Sequence, residues 1–349
     1  MVTQGGGDNG VRPSSNGWSS VPAARRPVDI EDDTSAPREG HVTVGVDGSP
    51  GSLAALRWAA HEATLRGCPL RVLYCVTWPA MAAALGVPPD AAPREDLHHE
   101  AEQVLGGAVA QARDAAPTIP VSGAVIDGAP STVLVEESDR SSVVVVGTRG
   151  VGGFAGLLLG SVSGRVAMHA RCPVVVVPTG YSAQPSRRQR IVVGVDGSDS
   201  SDLAARFALV EALLRQAPVT AVRACPPPGP QRPNGTTLPG AAPVEEGRRQ
   251  VAAAMTGWKK SFPTIQVEQQ VVAGRPVAAL VDAASDAQLL VVGSRGMGGF
   301  RGLLLGSVSL RLLHHTVCPV AVVHTHHHDA SRPKNHLLVT ASACPTPSP

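Results

Sequence analysis

Two spacings in this chain of 349 residues could hold a sugar and its phosphates. The first is Gly147-x2-Gly150-x9-Gly160-Ser161, which returns as Gly293-x2-Gly296-x9-Gly306-Ser307. Each begins where a Val- or Leu-rich run ends and finishes where a helical pattern begins. Glycine lets the main chain approach a ligand closely and take up positive φ. A helix start adds unpaired N–H groups at the positive end of its dipole, which suits an anion. Ser161 and Ser307, read as N-caps, can turn a hydroxyl onto a phosphate oxygen or onto their own helix. The second spacing is Asp47-Gly48-Ser49, repeated as Asp196-Gly197-Ser198 at a strand tip. A carboxylate there accepts hydrogen bonds from ribose hydroxyls. Taken singly, these residues have plainer readings: the aspartates and serines as caps, the glycines as tight turns. Arg149 and Arg295 either steady phosphate charge or are simply solvated. The joint occurrence of every part, twice, favours a nucleotide site.

The elements that must position these residues come from a duplication. VTVGVDGS at 42–49 returns as IVVGVDGS at 191–198, and 147–177 aligns with 293–323 at 21 of 31 positions. Within the first copy, strand-like runs at 41–46, 70–76, 119–126, 142–146 and 174–177 alternate with helical patterns at 52–66, 96–115, 132–139 and 161–170. The helix at 52–66 reads as amphipathic, with Leu53, Leu56, Ala60 and Ala63 on one face. Valine runs without polar alternation suit strands buried on both faces, and strand–helix alternation implies a parallel sheet wound on both sides. The second copy repeats the strands at 191–195, 219–224, 265–272, 289–292 and 320–323. The fold class is therefore α/β. If strands one and four are neighbours, the Asp tip and the glycine loop face each other at the switch point where open α/β sheets bind ligands. Polar or proline-rich stretches divide the chain into a disordered tail at 1–40, a first domain at 41–180, a hinge at 181–188, a second domain at 189–325 and a flexible His- and Pro-containing tail at 326–349. Residues 78–93 and 226–243 are insertions between the second strand and second helix of each copy.

Composition narrows the function classes. Lys and Arg number 30 against 28 Asp and Glu, a formal charge of +2, without the clustered basic excess of a nucleic-acid binder. Aromatics are 3% of residues, so the cores must be built from Val, Leu and Ala. Six cysteines without a CxxC pair make neither a disulfide scaffold nor a zinc site. Cys172 and Cys318 read as small buried fillers, and the histidines at 324 and 326–328 as part of a polar tail rather than a metal site. No apolar run reaches the roughly 18 residues of a membrane span, and no signal peptide is read, so a cytoplasmic protein is expected. No Gly-Lys-Ser/Thr occurs, no GxGxxG follows strand one, and His61-Glu62 has Leu65 where an HExxH helix needs its second His.

The VGVDGS strand tip, the G-x2-G-x9-G-S spacing and the closing CPVVVV or CPVAVV strand resemble the universal stress protein family in its tandem, two-domain form, over nearly all of 40–325. The resemblance implies two Rossmann-like (adenine nucleotide alpha hydrolase-like) domains, each with five parallel strands in the order 3-2-1-4-5 and helices on both faces. It implies ATP, with or without Mg²⁺, between strands one and four. Asp47, Gly48, Ser49, Asp196, Gly197 and Ser198 would then meet ribose and adenine. Gly147, Arg149, Gly150, Gly160, Ser161, Val162 and Ser163 would lie along the phosphates, as would Gly293, Arg295, Gly296, Gly306, Ser307, Val308 and Ser309. Cys75 and Ala224 stand where a Val usually contacts adenine, which matters little if the contact is through the main chain. The function implied is a stress-response regulator or sensor with two nucleotide sites; the alternative is a slow ATPase or nucleotidyl-transfer enzyme using the same sites. Partners expected are an adenine nucleotide, no nucleic acid and no membrane. Valine-rich closing strands at a sheet edge invite pairing, which predicts a pseudo-twofold unit of the two copies and allows a homodimer.

Overall fold

In the computed structural model the described residues are 40–77, 94–150, 159–181, 190–225, 244–297, 304–315 and 317–325. The tail before residue 40, both insertions, most of the hinge and the tail after 325 lie outside them. The first half runs β1 (His41–Gly45), α1 (Pro50–Arg66), β2 (Leu70–Val76), α2 (Arg94–Ala115), β3 (Val121–Asp127), α3 (Pro130–Glu137), β4 (Ser141–Gly147), α4 (Ser161–His169) and β5 (Val174–Val177). The second repeats it as β6 (Arg190–Gly194), α5 (Asp199–Arg215), β7 (Val219–Cys225), α6 (Val244–Ser261), β8 (Val267–Ala273), α7 (Pro276–Ala283), β9 (Ala287–Gly293), α8 (Ser307–His315) and β10 (Val320–Val323).

All ten strands form one sheet, ordered β3-β2-β1-β4-β5-β10-β9-β6-β7-β8. Each half has the doubly wound order 3-2-1-4-5, with β1 parallel to β4 and β6 parallel to β9. The one antiparallel contact joins β5 to β10, where Val176 lies opposite Val320 and Val174 opposite Val322. The central strands are valine because both faces are covered. Val42, Val44, Val143 and Val145 face a layer formed by α1, α2, α5 and α6, while Val144 and Val146 face α3, α4, α7 and α8. The outermost strand β8 (VEQQVVA) is mostly exposed and correspondingly polar.

Element boundaries shift from the sequence pattern where local chemistry decides. The third helix starts at Pro130, two residues earlier than periodicity suggests, because proline at N1 presets a helical φ. Ile265 belongs to the turn that closes α6, bonded back to Phe262, and not to β8. The larger departure concerns α1. Its face is not a simple apolar stripe: Ala54, Ala55, Leu56, Trp58, Ala59, Ala60, Glu62 and Ala63 are all buried, because α1 packs on the sheet, on α2 and on α5 at once.

At the α1–α5 contact the two halves exchange charge. Arg66 bonds Glu62 within its own helix and Glu211 in the other half; Arg215 bonds Glu211 and reaches back to Glu62. Both carboxylates are wholly buried and Arg215 nearly so. Each guanidinium also covers an aromatic ring from the opposite helix, Arg66 over Phe207 at 5.7 Å and Arg215 over Trp58 at 5.4 Å. The residues at 58, 62 and 66 are related to those at 207, 211 and 215 by the repeat, so the contact is self-complementary.

No helix among the described residues is long and apolar enough to cross a membrane.

Candidate functional site

β1 and β6 end in the same kind of turn. It passes through Gly48 at φ +80° and Gly197 at φ +87°, a left-handed backbone that favours glycine. Ser49 and Ser198 are the N-caps of α1 and α5: their hydroxyls accept Ser52 N and Ser201 N, each at 3.2 Å. The aspartates hold the turn before the cap. Asp47 Oδ1 accepts Ser49 N at 3.0 Å, and Asp196 Oδ1 accepts Ser198 N at 3.0 Å and the Ser198 hydroxyl at 2.6 Å.

The second carboxylate oxygen turns to the glycine loop. Met297 N donates to Asp196 Oδ2 at 3.0 Å. A Cβ on Gly296 would stand 2.5 Å from that oxygen, and one on Gly150 only 2.1 Å from Asp47 Oδ2. Only glycine lets the loop close this far over the carboxylate. Burial by itself would raise the Asp196 carboxyl, but hydrogen bonds from Ser198, Met297 N and Ser201 outweigh it and hold the group below the ordinary carboxylate range. It is a charged acceptor at neutral pH.

The far end of the loop returns to the same place. Gly160 N donates to Thr148 O and Gly306 N to Ser294 O, both at 2.7 Å. Gly160 is the N-cap of α4, and the Gly306 carbonyl takes Leu310 N at 3.0 Å in the same manner. Ser161 and Ser307 are therefore the first residues of their helices and not the caps, a correction to the sequence reading. Glycine suits the cap because a Cβ at Gly160 would stand 3.2 Å from Ser163 Oγ and Thr148 O. Both serines are exposed. Ser163 and Ser309 are buried, and their hydroxyls go to main-chain carbonyls: Ser163 to Thr148 O at 3.2 Å, Ser309 to Gly293 O at 2.7 Å. They tie helix to loop. Val162 and Val308 lie half-buried behind them.

Gly147 and Gly293 serve a different purpose from the other loop glycines. A Cβ on Gly147 would meet the Gly51 main chain at 2.6 Å, and one on Gly293 the Ser200 hydroxyl at 2.4 Å. They seat α1 and α5 against β4 and β9. Arg149 offers its carbonyl to the Ser49 hydroxyl at 3.3 Å, and Arg295 its N–H to Ser200 Oγ at 3.3 Å, with the Arg295 side chain exposed. Cys75 and Ala224 sit near the ends of β2 and β7; burial pushes the Cys75 thiol up to about 12, so only its main chain and its bulk are available to a ligand. Two open clefts adjoin the site on the α1 and α5 side. One, of about 410 Å³, is lined by Arg149, Gly150 and Thr179 together with Leu313 and His314 of the other half. The other, of about 560 Å³, includes Ser198, Arg295 and Thr325. Neither is the cradle between Asp and helix start; they abut it through the loop arginines.

The arrangement in each half is thus a strand-tip carboxylate, held ionised at Asp196, with Gly150 or Gly296 against it and a helix N-terminus following the neighbouring strand. It can hold a polyhydroxylated group at one end and an anion at the other. A Cβ at Gly150 or Gly296 would overlap the carboxylate oxygen itself, so glycine is what lets carboxylate and loop start meet. Sequence reasoning missed the Glu62–Arg66–Glu211–Arg215 ring that fixes the two cradles relative to each other. The signal was present: a Glu-x3-Arg pair recurs at the same point of both copies, inside helices with little other charge on that face.

A model of the universal stress protein family matches residues 40–178 and again 187–324. A universal stress protein of Mycobacterium tuberculosis is 37% identical over 303 residues, covering 82% of this chain and 98% of the relative. A second from the same species is 36% identical over 298 residues, covering 80% and 94%. Among solved structures, a universal stress protein from Archaeoglobus fulgidus superposes with a TM-score of 0.62 at 20% identity, over 82% of this chain and 99% of that one.

Proposed function

Because the chain belongs to the universal stress protein family, we propose that each half binds an adenine nucleotide, ATP in the first instance, and that the protein is a non-enzymatic, cytoplasmic regulator whose signal is the occupancy of two sites. Ribose would lie at Asp47 or Asp196, adenine toward Cys75 or Ala224, and the phosphates along Gly150, Gly160 and Ser161 or along Gly296, Gly306 and Ser307. The observation that carries this reading is the closure of the glycine loop on the strand-tip carboxylate in both halves, to within 2.1 and 2.5 Å of where a Cβ would stand. A ribose hydroxyl would take the place that Met297 N holds on Asp196. Bound nucleotide supplies polyphosphate charge, and a divalent cation travelling with it would need no protein ligand. The paired halves are the working unit.

Asp47→Asn with Asp196→Asn tests the reading cleanly. Asn keeps the acceptor that holds the turn and loses only the charge and the second acceptor. Equilibrium dialysis should show ATP binding weakened about 10- to 100-fold, the worth of a hydrogen bond to a charged group. Unchanged binding in the doubly substituted chain would end the proposal. ATP turnover above about 1 s⁻¹ in the parent would instead favour an enzyme.

A further inference from the structure

The two halves differ beside the site. Tyr74 in β2 and Arg223 in β7 are equivalent by the repeat, each the fifth residue of its strand. Arg223 is 6% exposed, yet among the described residues its Nε and one terminal nitrogen, NH1, have no hydrogen-bond partner. A buried cation in this condition is costly and calls for an explanation. Arg215, equally buried, is fully engaged in its ring. Among the described residues no group engages those two nitrogens. Glu246 feels its charge, but the Glu246 carboxylate is bonded to Arg249 and Gln250.

The guanidinium lies at the strand tip. A Cβ on Gly197 would stand 3.7 Å from Arg223 NH1, with Met297 Sδ at 4.0 Å on another side, and Gly247 packs against the arginine stem. The strand order β9-β6-β7 places Arg223 on the opposite side of Asp196 from the glycine loop. Two features that attract anions therefore bracket the sugar position in the second half: the loop with its helix start, and Arg223. In the first half the same place holds Tyr74. Burial first, and then the charges of Glu100 and Asp47, push its hydroxyl upward, and no cation takes the place of Arg223 there among these causes.

We propose that Arg223 is a specificity-determining residue of the second site, which takes an adenine nucleotide carrying a phosphate on its ribose in addition to the 5′ phosphate. The first site takes a nucleotide with free ribose hydroxyls. A guanidinium fork matches a phosphate monoester in two parallel hydrogen bonds, and the ligand completes the arginine as the arginine selects the ligand. This inference rests on the adenine-nucleotide reading.

Calorimetric titration of the full chain with AMP, adenosine 2′,5′-bisphosphate and adenosine 3′,5′-bisphosphate tests it. One bisphosphate should bind at one site per chain at least about tenfold more tightly than AMP, the factor a single charge-assisted hydrogen bond supplies. Arg223→Tyr, which installs the first half's residue, should remove that preference and leave AMP binding in place. Should the tyrosine variant fail to fold, Arg223→Gln must show the same loss. A parent without preference for either bisphosphate, or a variant that keeps it, overturns this inference alone. A parent that binds neither AMP nor ATP overturns the adenine reading and this inference with it.

Discussion

Glu62→Gln in the buried ring should be among the most destabilising conservative changes in the protein. With both carboxylates ionised the parent ring is neutral, two carboxylates against two guanidiniums, and both carboxylates are sealed from water. The variant leaves Arg66 and Arg215 sharing Glu211 alone, so a full positive charge stays buried without a counterion. Breaking one member of such a pair costs about 3–5 kcal/mol. Replacing all four residues by Met and Leu removes the desolvation penalty as well, and that chain should be as stable as the parent or about 1–4 kcal/mol more so. The corners are unequal: Arg66 is 15% exposed and Arg215 only 4%, so Arg66→Met should cost less than Arg215→Met. Equilibrium urea unfolding followed by circular dichroism reads all of these. With m near the upper end of 1–3 kcal/mol/M for a chain of this size, Glu62→Gln should lower the midpoint by about 1 M or more. A midpoint within 0.2 M of the parent would refute the reasoning, since it would mean that water screens the ring.

The ring also sets an acid limit. Burial opposes ionisation of Glu62, but Arg215 and Arg66 outweigh it and hold the carboxyl at about 2. Burial and the charge on Glu62 push Glu211 the other way, to about 7. The two therefore titrate in two steps that belong to the ring. Glu62, wholly buried and bonded by both guanidiniums, is the corner that sets the acid limit. A carboxyl lowered in the folded state lends stability that is present above its unfolded value near 4.5 and lost as pH falls toward 2.

The remaining predictions concern the loop glycines. Gly296→Ala places a methyl 2.5 Å from Asp196 Oδ2, so the carboxylate must swing away; ATP binding by the second half should fall at least about tenfold while the thermal midpoint changes little. Gly150→Ala should do the same in the first half, and dialysis of each single variant should then show one site lost per chain. Gly147→Ala meets the Gly51 main chain at 2.6 Å and should behave oppositely, losing about 1–3 kcal/mol by overpacking. A thermal melt no lower than the parent's would show that α1 can back away freely.

The sequence by itself determined the α/β class and the strand–helix alternation; the strand order within each half was what the family resemblance implied, and the nearness of Asp47 to the glycine loop follows once that order makes strands one and four neighbours. Uninterrupted valine runs suit strands covered on both faces, and the duplicated Asp-Gly-Ser and glycine spacings sit at strand ends whose positions the alternation dictates. Tertiary structure decided the rest. That Gly147 seats α1 while Gly150 admits Asp47 depends on which side of the chain each Cβ would point, and one motif carries both without distinction. The capping role fell to Gly160 and not to Ser161 because the helix starts one residue earlier than its hydroxyl suggests. Glu62 and Arg66 stand four apart in one helix; only the approach of α5, 149 residues further along, turns them into a buried ring. Arg223 is likewise a plain strand residue until packing under α6 takes away its water. Local pattern records which groups a segment can bury, whereas the partners of a buried charge are chosen by whatever else arrives at the same point in space.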